Sequence, residues 1–259
     1  MERRFLFDKV ADLYDAARPG YPDALLDHVV AFAGLEPGDS ILEIGCGTGK
    51  ATAGFARRGL HVVALDPGAE LLRVARKSLM GFQNVRFLQT TFEAWPPQPA
   101  AFKLVAAAQS WHWIAPEMRC TKIAEVLAPS GSLAVFGNEP VGFASSPLFD
   151  EFKRIYTQLV PSLWEHFAAE AWYLPTGPVA KLIGESRLFA AVTYKRYPWR
   201  RSFTESSFID LLRTQSRYQL LAEPQREALF SALATAIAAH GGEFELAYEA
   251  HLYTAKRAS

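Results

Sequence analysis

Ile41-Leu-Glu-Ile-Gly-Cys-Gly-Thr-Gly-Lys50 is the stretch that decides the fold. A short aliphatic run enters a turn with glycine at 45, 47 and 49, and a helical pattern follows from about Thr48 to Arg58. Glycine lets such a turn adopt positive φ and lets a ligand approach the backbone with no Cβ in the way. A second apolar run, His61-Val-Val-Ala-Leu-Asp66, closes on a carboxylate. It falls about 20 residues past the first glycine, where a ribose diol finds its acceptor in a strand–turn–helix–strand unit. The stretch therefore predicts a crevice for a nucleoside-bearing cofactor.

The spacing then narrows the nucleoside. A dinucleotide turn carries its third glycine five positions after the first, so that helix and strand close on a pyrophosphate. That position here is Lys50, whose long side chain obstructs such packing. What stands instead is Glu43-x-Gly-x-Gly-x-Gly49, which resembles motif I of class I S-adenosylmethionine-dependent methyltransferases. Their cofactor has no phosphate. Its carboxylate suits a helix N-terminus, and its amine and sulfonium suit acidic side chains.

Outward from the turn, strands and helices alternate. Helices are expected over 8–20 and from Tyr21-Pro22 to Ala33, stopped by Pro19-Gly20 and by Gly34 with Pro37-Gly38. Then come strand 40–45, helix 48–58, strand 61–65, helix 68–80, strand 84–89, strand 103–108, helix 116–127 stopped by Pro129-Ser-Gly131, and strand 132–137. Such alternation predicts an α/β fold, a mostly parallel sheet with helices on both faces. Residues 147–187 break the rhythm with aromatic-rich helical stretches, including Phe149, Phe152, Tyr156, Trp164, Phe167, Trp172 and Tyr173. A strand over 189–199, helices over 204–221 and 224–240, and a last strand over 243–256 complete the chain. The expected whole is one domain with a Rossmann-like seven-stranded sheet, whose last strand the methyltransferase resemblance implies to be antiparallel. Its core would be 8–139, a helical lid 140–188, and a sheet-completing segment 189–259.

The resemblance continues past the glycine turn. Leu88-Gln-Thr-Thr-Phe-Glu-Ala-Trp95, Ala107-Ala-Gln-Ser-Trp-His-Trp-Ile114 and Leu127-Ala-Pro-Ser-Gly-Ser-Leu133 resemble the later motifs of that fold, in order. Tyr14…Arg18-Pro-Gly-Tyr-Pro22 is similar to the opening of a small-molecule branch that includes trans-aconitate methyltransferase-like proteins. The resemblance implies S-adenosyl-L-methionine as cofactor. Glu43, Gly45, Cys46 and Gly47 would hold its methionine part, Asp66 its ribose, and Pro67, Thr91 and Phe92 its adenine, with Gln109 beside them. Thr91-Phe92 stands where many members have Asp-Ala, which moves the adenine contact toward backbone amides and the Thr91 hydroxyl. Tyr14 would cover the cofactor and Arg18 would meet the acceptor. Trp111 and Trp113 would wall the reactive face, Trp164 would join the acceptor pocket, and His112 would take a substrate proton. Other readings stay open: an N-cap role for Asp66, core packing for each tryptophan, a structural hydrogen-bonded role for His112, and for Arg18 a helix-end cap or a pair with Asp15 or Asp12.

Composition sets the remaining expectations. The 259 residues carry 27 basic and 27 acidic side chains, so no overall field favours nucleic acid or an anionic membrane. Short basic clusters, Arg57-Arg58 and Lys195 to Arg201, read as a solvated helix end and a solvated strand edge. Cys46 and Cys120 have no metal-ligand spacing, and no run reaches transmembrane length. The expected protein is a cytoplasmic enzyme, monomer or homodimer, that uses no metal and acts on a small-molecule acceptor, with oxygen favoured as nucleophile. A Rossmann dehydrogenase, a cofactor-binding protein without turnover, and an RNA or protein methyltransferase are the alternatives.

Overall fold

The computed structural model describes residues 7–141, 146–166 and 172–258. In chain order the elements are α1 (Ala11–Ala17), α2 (Asp23–Ala33), β1 (Ser40–Ile44), α3 (Lys50–Arg57), β2 (His61–Asp66), α4 (Ala69–Ser78) and β3 (Val85–Gln89). There follow β4 (Phe102–Ala108), α5 (Pro116–Val126), β5 (Leu127–Pro140), α6 (Pro147–Leu159), α7 (Pro161–His166) and α8 (Val179–Glu185). The chain ends with β6 (Thr193–Thr204), α9 (Glu205–Arg213), α10 (Ser216–Gln219), α11 (Glu223–Ala239) and β7 (Glu243–Lys256).

One sheet takes the strands in the order β3-β2-β1-β4-β5-β7-β6. Its first five strands are parallel: Ile41 sits opposite Val62 on one side and Leu104 on the other, and Ala106 sits opposite Ala134. The last strand runs antiparallel between β5 and β6, continued by a Phe189–Arg257 bridge. Val62, Ala64, Leu65 and Leu104 through Ala107 are all buried, as central strands covered on both faces must be. Chain order reverses between β1 and β4, and the crevice outside the carboxyl ends of those strands is the switch point where such sheets bind ligands.

The chain divides into two compact units, where the sequence suggested one domain with an inserted lid. One comprises Pro19–Asn138, Trp172–Tyr197 and Ala250–Ser259. It holds the glycine turn and a core that includes Leu42, Phe102, Val105, Trp111, Val135 and Tyr253. The other comprises Met1–Arg18, Glu139–Ala171 and Pro198–Glu249. Its core is aromatic: Phe152 and Phe208 stack at 5.6 Å, and the Tyr156 and Tyr218 hydroxyls meet at 2.6 Å. The expected lid over 140–188 is thus shared out, its aromatic helices α6 and α7 going to the second unit and Trp172, Tyr173 and α8 to the first. Phe167 lies outside the described residues, as does the side chain of His166.

Most element bounds moved by a residue or two, and three differences have a physical reason. The last parallel strand begins at Leu127 rather than 132, because Ala128 precedes a proline and is barred from continuing the helix. Its pairing with β4 then slips between Phe102 and Leu104. The helix expected over 204–221 breaks at Thr214, whose hydroxyl donates to Leu211 O at 2.6 Å. The strand expected from 189 starts at Thr193, leaving Phe189 as an isolated bridge.

Candidate functional site

Gly45, Gly47 and Gly49 all take positive φ (67°, 55° and 86°), the left-handed turn that the sequence required. Gly45 has a second constraint: a Cβ there would stand 2.5 Å from the Ser110 Cβ. Ser110 is buried and its hydroxyl donates to Ile44 O, so the loop after β4 is pinned to the end of β1. The turn is closed by Cys46 N–H donating to Leu65 O at 3.0 Å and Gly49 N–H donating to Cys46 O at 2.9 Å.

Two acids flank this turn from inside. Glu43 is 1% exposed and accepts from the Thr52 hydroxyl at 2.6 Å, which ties β1 to α3. Burial pushes its carboxyl up to about 8, the Thr52 bond opposes the rise, and Asp66 adds to it. Asp66 is also buried, and both its oxygens accept backbone donors at 2.8 Å: Oδ2 from Gly47 N–H and Oδ1 from Gly68 N–H. The N-cap of α4 is Gly68, so Asp66 is not the cap; it makes a local turn and braces the glycine loop. Burial, with Asp66 and Glu43 nearby, also pushes the Cys46 thiol well up, leaving a small inert side chain in the loop. The Thr48 hydroxyl is buried with no hydrogen-bond partner among the described residues.

The third side is the loop after β3. Thr91 Oγ1 accepts from Ala94 N–H at 3.2 Å. Phe92 was expected to bracket a ring, but its side chain is core: it is 3% exposed, stacks on Trp95 at 6.4 Å, and lies under the Lys122 amine. Lys122, on α5, donates to Phe92 O (2.6 Å), Glu93 O (3.0 Å) and Trp95 O (2.5 Å). Glu93 Oε1 accepts from Ala115 N–H at 2.8 Å, a structural tie between this loop and α5.

The loop after β4 forms the fourth side. Gln109 takes φ 53°, rare for a residue with a Cβ, and its Oε1 accepts from the Tyr21 hydroxyl at 3.3 Å. Asn138 Nδ2 donates to Gly20 O at 3.0 Å, so the 19–21 segment is held to the ends of β4 and β5. Trp111 is a correction: expected as a wall of the reactive face, it is fully buried, with the Arg119 guanidinium 5.2 Å from its ring. Trp113 is half-buried beside His112, ring to ring at 4.6 Å. His112 Nδ1 lies 3.3 Å from the Tyr173 hydroxyl, and its ring is 5.8 Å from Trp172. Burial, seconded by the Arg119 charge, lowers His112 to about 4. It is neutral at physiological pH and a weak base.

Three predicted residues fall in the other unit. Arg18 donates to Thr214 Oγ1 (2.9 Å) and Thr214 O (3.2 Å) and lies 5.1 Å over the Tyr14 ring. Trp164 packs on Phe149 and Tyr156 at 5.6 and 5.8 Å, which is the core-packing reading. Sequence reasoning missed the roles of Ser110, Lys122 and Asn138, because each acts on a residue far away in the chain. Among the described residues no group of His, Cys, Asp and Glu is arranged to hold a metal, and no helix is long and apolar enough to cross a membrane.

Comparison with known proteins agrees with this geometry. The model of a methyltransferase domain family matches residues 41–131, from the start of the glycine turn to the bulge in β5. A methyltransferase of Mycobacterium tuberculosis is 36% identical over 132 residues, which is 51% of this chain and 51% of that protein. The chain thus matches about half the length of such relatives. A methyltransferase-like protein of Schizosaccharomyces pombe is 30% identical over 228 residues, covering 86% of this chain and 82% of its own. Among solved structures, phosphoethanolamine N-methyltransferase 2 of Haemonchus contortus, in complex with phosphomonomethylethanolamine and S-adenosylhomocysteine, superposes with a TM-score of 0.59. It is 16% identical and covers all of this chain and 61% of its own. A glycine turn braced by Asp66, a buried Glu43 and this span of similarity lead to one assignment: the chain belongs to the class I S-adenosylmethionine-dependent methyltransferases.

Proposed function

We propose that this chain transfers the methyl group of S-adenosylmethionine to a small-molecule acceptor, preferentially at oxygen, by direct displacement, releasing S-adenosylhomocysteine. The observation that carries the reading is the build of the crevice: three left-handed glycines around two buried acids, with a Thr48 hydroxyl in the same turn that has no hydrogen-bond partner among the described residues. The residues present fit an amine, a sulfonium and a ribose better than a pyrophosphate. When bound, the cofactor supplies an electrophilic methyl carbon.

Each residue then has a role within this reading. Glu43 and the backbone of Gly45, Cys46 and Gly47 receive the methionine end. Asp66, whose carboxylate also accepts from Gly47 and Gly68, receives the ribose hydroxyls. Pro67, the Thr91 hydroxyl and the Phe92 backbone border the adenine, and Gln109, oriented by Tyr21, borders the sulfur side. Trp113 and His112 shape the acceptor face. With its low basicity, His112 orients an acceptor by hydrogen bonding more effectively than it deprotonates one, and an acceptor already ionised needs no base. Alignment of nucleophile, methyl carbon and sulfur supplies much of the rate in such a displacement.

Calorimetry with S-adenosylhomocysteine, NAD and NADP tests the cofactor. Binding of the first alone is expected; binding of a dinucleotide alone reverses the reading. Labelled cofactor incubated with the protein and a metabolite extract, followed by mass spectrometry, then identifies the methylated product. A chain that binds cofactor and labels nothing is a binding protein.

A further inference from the structure

The basic cluster ending at Arg201, expected to be a solvated strand edge, contains a residue of another kind. Arg200 points to solvent and pairs with Glu245 at 2.6 Å. Arg201 is half-buried on the opposite face of β6, its Nη1 donating to Ala17 O at 2.6 Å and its guanidinium 4.7 Å over the Phe203 ring. That contact sets it beside Arg18. Trp199, two residues earlier and on the same face as Arg201, stacks on Tyr248 of the adjoining β7 at 4.5 Å. Arg18, Arg201 and Tyr248 therefore come together, all within one unit.

Counting donors shows what this cluster lacks. Arg18 commits Nε and Nη2 to Thr214, leaving Nη1. Arg201 commits Nη1 to Ala17, leaving Nε and Nη2. The Tyr248 side chain is 6% exposed, and its hydroxyl makes no hydrogen bond among the described residues. Burial pushes that phenol up to about 12 against the pull of Arg201 and Arg18, so it remains a neutral donor. Neither arginine has a carboxylate partner among the described residues. Other arginines of the same unit do: Arg213 with Glu227 at 2.7 Å and Arg154 with Glu151 at 2.9 Å. Two half-buried guanidinium groups without a carboxylate partner, beside a phenol whose hydroxyl makes no hydrogen bond among the described residues, leave donors that an anion can complete.

We propose that Arg18, Arg201 and Tyr248 form a binding site for an oxyanion, a carboxylate or phosphate carried by a small molecule. The arginines supply charge and planar donors suited to two oxygens, and Tyr248 supplies a neutral donor that fixes orientation. The cation–π contacts of both arginines hold them in place before the anion arrives.

The test is calorimetric titration of the full chain with inorganic phosphate and, separately, with citrate, against sodium chloride at matched ionic strength. Saturable binding of phosphate assigns the site to a phosphate group, and of citrate to a carboxylate. In either case Arg201→Gln and Tyr248→Phe weaken it by about tenfold or more, the scale of a lost charge-assisted hydrogen bond. Tyr248→Phe removes only a hydroxyl and keeps the Trp199 stack, so it serves if Arg201→Gln unfolds. Chloride matching both anions, no saturation by either, or unchanged affinity in Tyr248→Phe overturns the site. Because S-adenosylhomocysteine is titrated in parallel, failure of the cofactor reading and failure of the anion site show up in different experiments.

Discussion

At the scale of single residues, Asp66 has two tasks that a substitution would expose together. Its oxygens hold the Gly47 and Gly68 amides, and in the proposed complex they also face a ribose. Asp66→Ala is expected to weaken S-adenosylhomocysteine binding at least about tenfold by calorimetry; full affinity would remove Asp66 from the cofactor site. Gly45 is constrained differently, by φ 67° and by the Ser110 Cβ at 2.5 Å. Gly45→Ala should destabilise the fold by about 1–3 kcal/mol, read by urea unfolding. Ser110→Gly in the same chain relieves the contact but not the backbone strain, and so should restore only part of the loss.

At the scale of elements, α5 works as a clamp. Its Lys122 holds the carbonyls of Phe92, Glu93 and Trp95 in the loop after β3, and Arg119, one turn earlier, donates to Ile114 O at 2.6 Å at the end of the loop after β4. One helix thereby sets two of the four loops around the crevice. Lys122→Met keeps the stem packed on Phe92 and Trp95 but leaves buried carbonyls without a donor. It should lower stability by about 2 kcal/mol or more and weaken S-adenosylhomocysteine binding, while Lys122→Arg should recover part of both. Equal affinity in Lys122→Met would show that the loop keeps its shape without the clamp.

At the scale of the whole molecule, two buried groups give stability a pH dependence of opposite sign. Glu43 is raised from 4.5 to about 8, so the folded state binds the extra proton and stability falls as pH rises between those values. His112 is lowered from 6.5 to about 4, so the unfolded state binds the extra proton and stability falls as pH drops between those values. The two oppose each other from 4.5 to 6.5, leaving a plateau there and a decline from 6.5 toward 8. Urea midpoints across pH should show this shape, and Glu43→Gln should flatten the decline above 6.5. A decline that persists in Glu43→Gln would assign it to another group.

The antiparallel last strand was implied by the resemblance to a family; the sequence itself determined the alternating parallel sheet, the left-handed glycine turn and the acid at the end of β2. These follow from short-range rules: side-chain period, proline and glycine stereochemistry, and fixed spacing in a strand–turn–helix unit. It placed His112 and Gln109 on a loop after β4 but could not tell that Trp111 goes into the core while Trp113 stays half-buried, because two tryptophans one residue apart look alike until a partner surface sorts them. Arg201 read as a surface charge and Lys122 drew no reading, since nothing nearby in the chain reveals the carbonyls of Ala17 or Phe92 to which they donate. Only the tertiary structure decided those positions, and the division of residues 140–188 between two cores, because burial and charge pairing depend on residues that the fold brings together from separate parts of the chain.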